Sequence, residues 1–397
     1  MKIVSRPLSD FTKTTVDLNA FAGGHGNLFV RDGVGIAGSG VAQRVSSREA
    51  RSFLDQLDID DRINEPGSGP VLMGAIPFDS SHEHTFILPS VSLVKAQDGS
   101  AWVTLVDDAE PYFGESPSTK PTAGAFAVEP GVSVDHYLRA VKCARDAVAS
   151  ADITKAVIAR DIVIQADDEI DVYAVLLRLK ASFGSSYRYL IDNFIGASPE
   201  LLIAVANGHV SSHPLAGTTA RSGDTATDIN LAASLLASSK NQIEHRVVID
   251  MVHDTLLPFC SYLDWEPTPS VVQVANVQHL GTLMQGMLSA PFAHVMDMTT
   301  LLSPTPALGG SPRDKALELI RQYEGIDRGN YGGAVGWFDR FGNGTFAVAI
   351  RCAQLSEDRK TARLFAGGGI VADSEPLAEL AETQAKFQAM LAAIIRS

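Results

Sequence analysis

The segment YGGAVGWFDRFGNGTFAVAIRCAQL (331–355) constrains this chain more than any other. Two runs rich in β-branched, aromatic and small apolar residues flank Gly342-Asn343-Gly344. That pattern spells a hairpin, because asparagine and glycine tolerate the positive φ that tight turns demand. Strands are therefore expected at 332–339 and 344–353, and others at 155–164, 187–194, 201–206 and 362–367. VLMGAIPF and AWVTLV read as short strands nearer the start. Amphipathic periodicity predicts helices over 135–150, 172–182, 226–238, 240–258, 313–324 and 376–395. Strands that follow one another in pairs build antiparallel or mixed sheet, whereas a doubly wound parallel sheet needs strict alternation with helices. The expected class is α+β.

The best linker candidate is GESPSTKPTAGA (114–125), dense in proline, glycine, serine and threonine. It does not oblige the first third to fold alone. One large domain is expected over 1–397, with a variable part at 1–125 and the core motifs at 130–397.

Charge and cysteine usage exclude several function classes. Lys plus Arg is 32 and Asp plus Glu is 46, so 32 − 46 gives −14. Such a balance repels a phosphate backbone, so no nucleic-acid partner is expected, while a few local cations can still hold a small anion. Cys143, Cys260 and Cys352 have neither metal-ligand spacing nor a disulfide framework, as suits a reducing compartment. The start, MKIVSRPLSD, lacks the apolar run of a secretion signal, and no stretch approaches 18 apolar residues. A cytoplasmic protein with no membrane contact is expected.

Chemistry concentrates in AGGGIVADSEPLAELAETQAKF (366–387). Pro376 suits the first turn of a helix, and Ser374 or Glu375 can cap it. At about 100° per residue, Glu375, Glu379, Glu382 and Lys386 share one stripe. Leu377, Leu380, Phe387, Leu391 and Ile394 gather opposite. The stripe is either a solvated face or a set of cation ligands. Gly367-Gly368-Gly369 could bring bare N–H groups close to an anion beside a helix N-terminus, or simply make a tight turn. The run is neither G-x-x-x-x-G-K-[ST] nor G-x-G-x-x-G, so a nucleotide is poorly supported. On the 240–258 helix, Glu244 would complete a Mg2+ site of hard oxygen ligands if it meets the acidic stripe, whereas His245 reads as an ordinary partly buried histidine. No Cys/His set for zinc exists.

Ten stretches, in order, carry a resemblance: KAVIAR, SPELL, PLAGT, SKNQIEH, VQHLGT, SPTPALGG, YGGAVGW, VAIRCA, AGGGIV and SEPLAELAET..K. From about residue 130 to its end the chain resembles the chorismate-utilising enzymes, the family of isochorismate, salicylate, anthranilate and aminodeoxychorismate synthases. The resemblance implies large mixed or antiparallel sheets in a sandwich with helices outside. Within the family it points to the isochorismate synthase branch. Lys155 stands where water-using members carry a lysine, and Ala216 where aminodeoxychorismate synthases carry a lysine nucleophile. PTPALGG follows the isochorismate branch.

By resemblance, Lys155 is the base that activates water and Glu200 the acid. Glu244 and Glu382 ligate Mg2+, and Glu379 holds a metal-bound water. Arg351, Tyr331 and the N–H groups of Gly367, Gly368 and Gly369 receive the enolpyruvyl carboxylate of chorismate. Lys386 adds positive charge, while His279, Leu215, Ala216, Gly217 and Thr218 line the ring. Burial and nearby cations are expected to favour neutral Lys155, and burial to favour protonated Glu200. A simple Lys155–Glu200 ion pair bracing two strands is the plain alternative. No amidotransferase subunit is implied, and a monomer is expected. The rival activities are salicylate synthesis, which adds pyruvate elimination, and non-catalytic anion or nucleotide binding. Three departures from the family pattern stand out. Ser303 replaces a histidine and Asn241 an aspartate; Gly368 replaces an alanine, a change expected only to add backbone freedom.

Overall fold

The computed structural model describes residues 1–119, 124–274 and 277–396; residues 120–123 of the 114–125 linker candidate lie outside the described residues. Among the described residues there are two large sheets, of thirteen and nine strands, and a small one of three. In the large sheet Tyr187–Ile191 pairs antiparallel with Asn27–Arg31, and in the second Ala334–Asp339 pairs antiparallel with Val71–Ile76. Strands from the first 106 residues and from beyond 155 thus lie side by side in both sheets. One pairing, Lys2–Pro7 with Asp58–Asp61, is parallel, so the large sheet is mixed.

The two sheets bury their facing sides against each other. Phe29, Ile36, Tyr189 and Phe194 of the larger meet Leu72, Phe86, Phe338 and Phe346 of the smaller in one core. Each such side chain contributes about 1.5–3 kcal/mol on leaving water. Helices cover the outer side of the large sheet. Val172–Ser182 and Pro376–Ile395 place Leu176, Leu179, Phe387 and Ile394 against Ile162, Ile164 and Leu364. No helix of the described residues is long and apolar enough to cross a membrane.

The six expected helices end within two residues of their expected bounds, whereas Leu18–Ala22, Ala50–Asp55 and Val295–Leu302 were not foreseen. Several strands differ in ways that matter for the site. The expected 187–194 strand is broken by Asp192-Asn193, both at positive φ, into the hairpin Tyr187–Ile191 and Phe194–Ser198. The 344–353 strand is two, Gly344–Val348 in the smaller sheet and Cys352–Leu355 in the larger. The chain changes sheets between them, with Arg351 in the left-handed region at φ 52. The hairpin turn falls at 340–343, one residue earlier than expected, so Gly344 already pairs with Phe338. Finally, the strand expected to stop at 367 runs Thr361–Ile370 and takes the whole glycine run into its ladder.

Candidate active site

Two chain crossings make the site. After Ser198 the chain leaves the large sheet and enters the smaller at Leu201, with Glu200 at the step. It returns between Val348 and Cys352, with Arg351 at that step. The crossings touch, since the Val348 N–H donates to the Glu200 carbonyl at 3.1 Å. Each carries a charged residue into the seam of the sandwich. Holding Arg351 at positive φ costs on the order of 1–3 kcal/mol, a strain typical of functional positions. Both side chains reach a cavity of about 340 Å³.

Lys155 opens the Lys155–Ala166 strand and enters the same cavity from the large sheet. Its ammonium donates to Glu244 Oε1 at 2.5 Å. The Lys155–Glu200 ion pair is not formed. Nor is the group in bonding reach of Lys155 the cation expected there; it is a carboxylate. Glu200 is 3% exposed, and burial raises its pKa from 4.5 to about 8. The Leu215 N–H, 3.3 Å from Oε1, and the Lys155 charge only partly offset that burial. The carboxyl therefore keeps its proton at neutral pH.

The three-stranded sheet supplies the next wall. Leu215–Ala220 pairs with Val277–Gly281 across an irregularity between Ala216 and Thr218, where Gly217 takes φ 76. The register sets Thr218 opposite His279, and Thr218 Oγ1 lies 2.9 Å from His279 Nδ1. Burial, with Arg351 and Lys386 adding to it, lowers the His279 pKa to about 3, so the ring is neutral. Tyr331 stacks on Phe365 with ring centres 5.4 Å apart, and burial pushes its hydroxyl well up, keeping it a donor.

The glycine run acts through room rather than turning. Gly367 and Gly369 line the cavity; a Cβ at Gly369 would lie 2.5 Å from Lys155 Cε, and one at Gly367 would lie 2.9 Å from the Tyr331 hydroxyl. Gly367 O accepts from Lys386 Nζ at 2.7 Å, on the edge away from the Lys155–Ala166 strand. Because the N–H and C=O of one strand residue share a side, the N–H groups of Gly367 and Gly369 point to that same edge. Gly368 is a correction. It does not line the cavity, its φ is not positive, and it faces the opposite side of the strand. There a Cβ would lie 2.6 Å from Glu379 Oε2. Its contribution is space for a carboxylate, not backbone freedom.

The last helix, Pro376–Ile395, brings its acidic stripe to the cavity mouth. Glu375 occupies the N-cap position, but no side-chain cap bond forms; Ser374 Oγ instead donates to Glu379 Oε1 at 2.7 Å. Burial, reinforced by Glu382, raises the Glu379 pKa, and its buried Oε2 has no hydrogen-bond partner. Burial also opposes ionisation of Glu382, but Lys386, Arg351 and Lys155 outweigh it and hold that carboxyl below the usual range. Lys386 bonds Glu382 Oε1 at 2.6 Å. On the far face Phe387 and Ile394 are buried, but Leu377, in the first turn of the helix, is 72% exposed.

Sequence reasoning left Lys240 unassigned, yet it lines the cavity four residues before Glu244 on the Ser239–Leu256 helix. Four-residue spacing on a helix puts two side chains on one face, which was the available signal. Lys155, Lys240, Arg351 and Lys386 thus gather four cations in one cavity of a chain with net charge −14. Asn241 also lines it, its amide bonded to Ser238 Oγ at 2.9 Å. Ser303 does not; it opens the 303–310 loop, is buried, and its carbonyl accepts from Arg313.

A divalent cation suits this donor set. Glu244, Glu379 and Glu382 line one cavity from two helices, and a buried oxygen without a partner calls for positive charge. Among the described residues no three acidic, histidine or cysteine groups converge as a ready-made shell, because Lys155, Ser374 and Lys386 each hold one of the carboxylates. Hard oxygen donors with room for water fit Mg2+ better than zinc.

Comparison with known proteins gives the family. The model of a family described as chorismate binding enzymes matches residues 36–395. The chain belongs to the chorismate-binding enzymes. A Mycobacterium tuberculosis protein provisionally named isochorismate synthase MenF is 38% identical over 341 residues, covering 83% of this chain and 87% of that protein. Isochorismate synthase MenF of Bacillus subtilis is 34% identical over 364 residues, covering 84% and 77%. In fold, this chorismate-binding enzyme matches the solved structure of MenF, the menaquinone-specific isochorismate synthase from Escherichia coli, with a TM-score of 0.84 at 23% identity, covering 99% of this chain and 94% of that one.

Proposed function

We propose that this chain is an isochorismate synthase, converting chorismate to isochorismate with Mg2+ and water as the nucleophile. The observation that carries the reading is the pair Lys155 and Glu200, held in one cavity without bonding each other, with burial keeping Glu200 protonated. The reaction adds water at C2 and removes the C4 hydroxyl while the double bonds shift, so atoms balance as an isomerisation. Water is a poor nucleophile and hydroxide a poor leaving group near pH 7, so a base and an acid are both needed. Lys155, acting as the neutral amine after its ammonium proton has been given up, takes the proton from the entering water. Glu200 gives its own to the departing C4 oxygen.

Arg351 forks onto the enolpyruvyl carboxylate, with the Tyr331 hydroxyl and the N–H groups of Gly367 and Gly369 beside it. Neutral His279 and the Leu215–Thr218 segment flank the ring without adding charge. Glu244 and Glu382, with Glu379 through a water, would hold Mg2+, which when bound supplies the positive charge that neutralises the ring carboxylate. The protein acts without an amidotransferase subunit, as a cytoplasmic monomer. Relatives are named both for menaquinone and for vibriobactin, and the choice between such fates lies outside the cavity.

The test is incubation of purified protein with chorismate and Mg2+, with products separated by chromatography. Isochorismate without pyruvate is the expected result, abolished by chelator and restored by Mg2+. Salicylate with pyruvate would assign the other branch, and tight chorismate binding without turnover would make this a binding protein.

A further inference from the structure

The Lys155–Ala166 strand has an uncovered stretch on one edge. The Thr361–Ile370 strand covers its other side throughout. On this edge Gly310–Ser311 pairs only with Lys155 and Ala156, and Phe126–Pro130 begins to pair only at Ile162. Between them Val157 and Ala159 turn their backbone groups toward no strand. A buried edge of this kind leaves polar groups that must find other partners.

One ion pair supplies two of those partners. Arg328 Nη2 donates to the Val157 carbonyl at 2.8 Å, and the Ala159 N–H donates to Glu324 Oε2 at 2.7 Å. Arg328 and Glu324 are joined by two bonds, from Nε at 2.6 Å and from Nη2 at 2.5 Å. Arg328 Nη1 also donates to the Leu308 carbonyl at 2.9 Å. Both side chains are 2% exposed, and Phe78 covers the guanidinium with its ring centre 4.1 Å away. The Val157 N–H bonds Gly309 O at 3.0 Å. A guanidinium beside a carboxylate presents a donor and an acceptor, as a neighbouring peptide chain would. Val157 and Leu308, whose backbones this pair ties together, line the cavity, as does Lys155 two residues before Val157.

We propose that Arg328 and Glu324 are positioning residues: a side-chain substitute for a missing strand that sets Lys155 and the 303–310 loop at their working separation. The inference rests on the cavity being the isochorismate-forming site. Stability alone does not account for the pair, because buried ion pairs replaced together by apolar side chains of similar volume are often neutral or stabilising. Such a replacement keeps the packing and removes only the bonds to Val157, Ala159 and Leu308.

That difference is the test. The double variant Arg328→Met/Glu324→Leu should fold, with its urea midpoint lowered only by the loss of those three backbone bonds. Its kcat should fall about 100-fold, the scale of a roughly 1 Å misplacement, with KM for chorismate changed by less than about threefold. Amide exchange should rise at Val157 and Ala159 and stay unchanged in the smaller sheet. A folded double variant with wild-type kcat overturns the proposal. Should the double variant not fold, Arg328→Lys takes its place: it keeps the charge but cannot fork to two carbonyls, and undiminished kcat there overturns the proposal equally. A wild type that makes no isochorismate would instead sink the functional reading, and exchange at Ala159 in the same variants would still decide whether the edge depends on the pair.

Discussion

Two kinds of basic–acidic pair sit within this protein on either side of one strand. In the cavity, Lys155–Glu244 and Lys386–Glu382 are joined by single bonds, and their carboxylates are 25% and 46% exposed. Behind the wall, Arg328–Glu324 is forked, 2% exposed and bonded to three backbone groups. Opposite charges pair in both places, but water reaches one set and not the other. A pair in contact with water exchanges partners cheaply, so its lysines and carboxylates are available to a substrate and a cation. A pair sealed from water cannot be opened without stranding a charge. In the proposed reaction, chemistry falls to the first kind and geometry to the second.

Breaking each pair should expose that difference. The largest effect is expected from Lys155→Ala. With a general base removed, kcat should drop by about a thousandfold or more, while the urea midpoint holds. A folded Lys155→Ala protein that still turns over at a comparable rate would remove the base assignment. Next, Arg328→Ala should cost about 3–5 kcal/mol of stability by urea unfolding, since it leaves Glu324 buried and unpaired. Lys386→Ala should cost less than about 1 kcal/mol, because that pair is partly solvated. Equal losses at the two positions would erase the contrast drawn above.

A third expectation concerns pH. Folded Glu200 keeps its proton up to about pH 8, while an ordinary glutamate releases it near 4.5. Between those values the folded state binds the extra proton, so stability should fall as pH rises through the window and level off above it. Turnover should decline above about pH 8 as the acid is lost. Glu200→Gln should flatten the stability slope and leave almost no turnover to titrate. The smallest effect should come from Gly368→Ala. Its new Cβ meets only the end of a flexible side chain, Glu379 Oε2, so stability should change by no more than about 1 kcal/mol. Mg2+ affinity, titrated without substrate, should shift as the carboxylate moves; an unchanged affinity would detach Glu379 from the cation site.

Much of this was readable beforehand, and what was misread is instructive. Helix 376–395 and the turn-rich antiparallel character follow from periodicity and turn residues, which act within a few positions. The strand breaks at Asp192-Asn193 and at Arg351 went unseen, because nothing local distinguishes one long strand from two that belong to different sheets. The glycines could be read as an anion cradle or a turn, and not as room for side chains, because their actual neighbours, Lys155, Tyr331 and Glu379, are remote in sequence. Leu377 looked like core because helical spacing says which face a residue is on, not whether that face is covered there.

The order of residue types along the chain determined the elements, the family and the side chains able to do acid–base work. Tertiary structure alone decided which lysine meets which glutamate. It also decided that Glu200 is dry enough to stay protonated, that Arg351 stands at a crossing between sheets, and that an arginine and a glutamate complete the edge of a strand. Propensity and periodicity are short-range, whereas burial and charge pairing depend on contacts between segments such as Lys155 and Glu244, 89 residues apart.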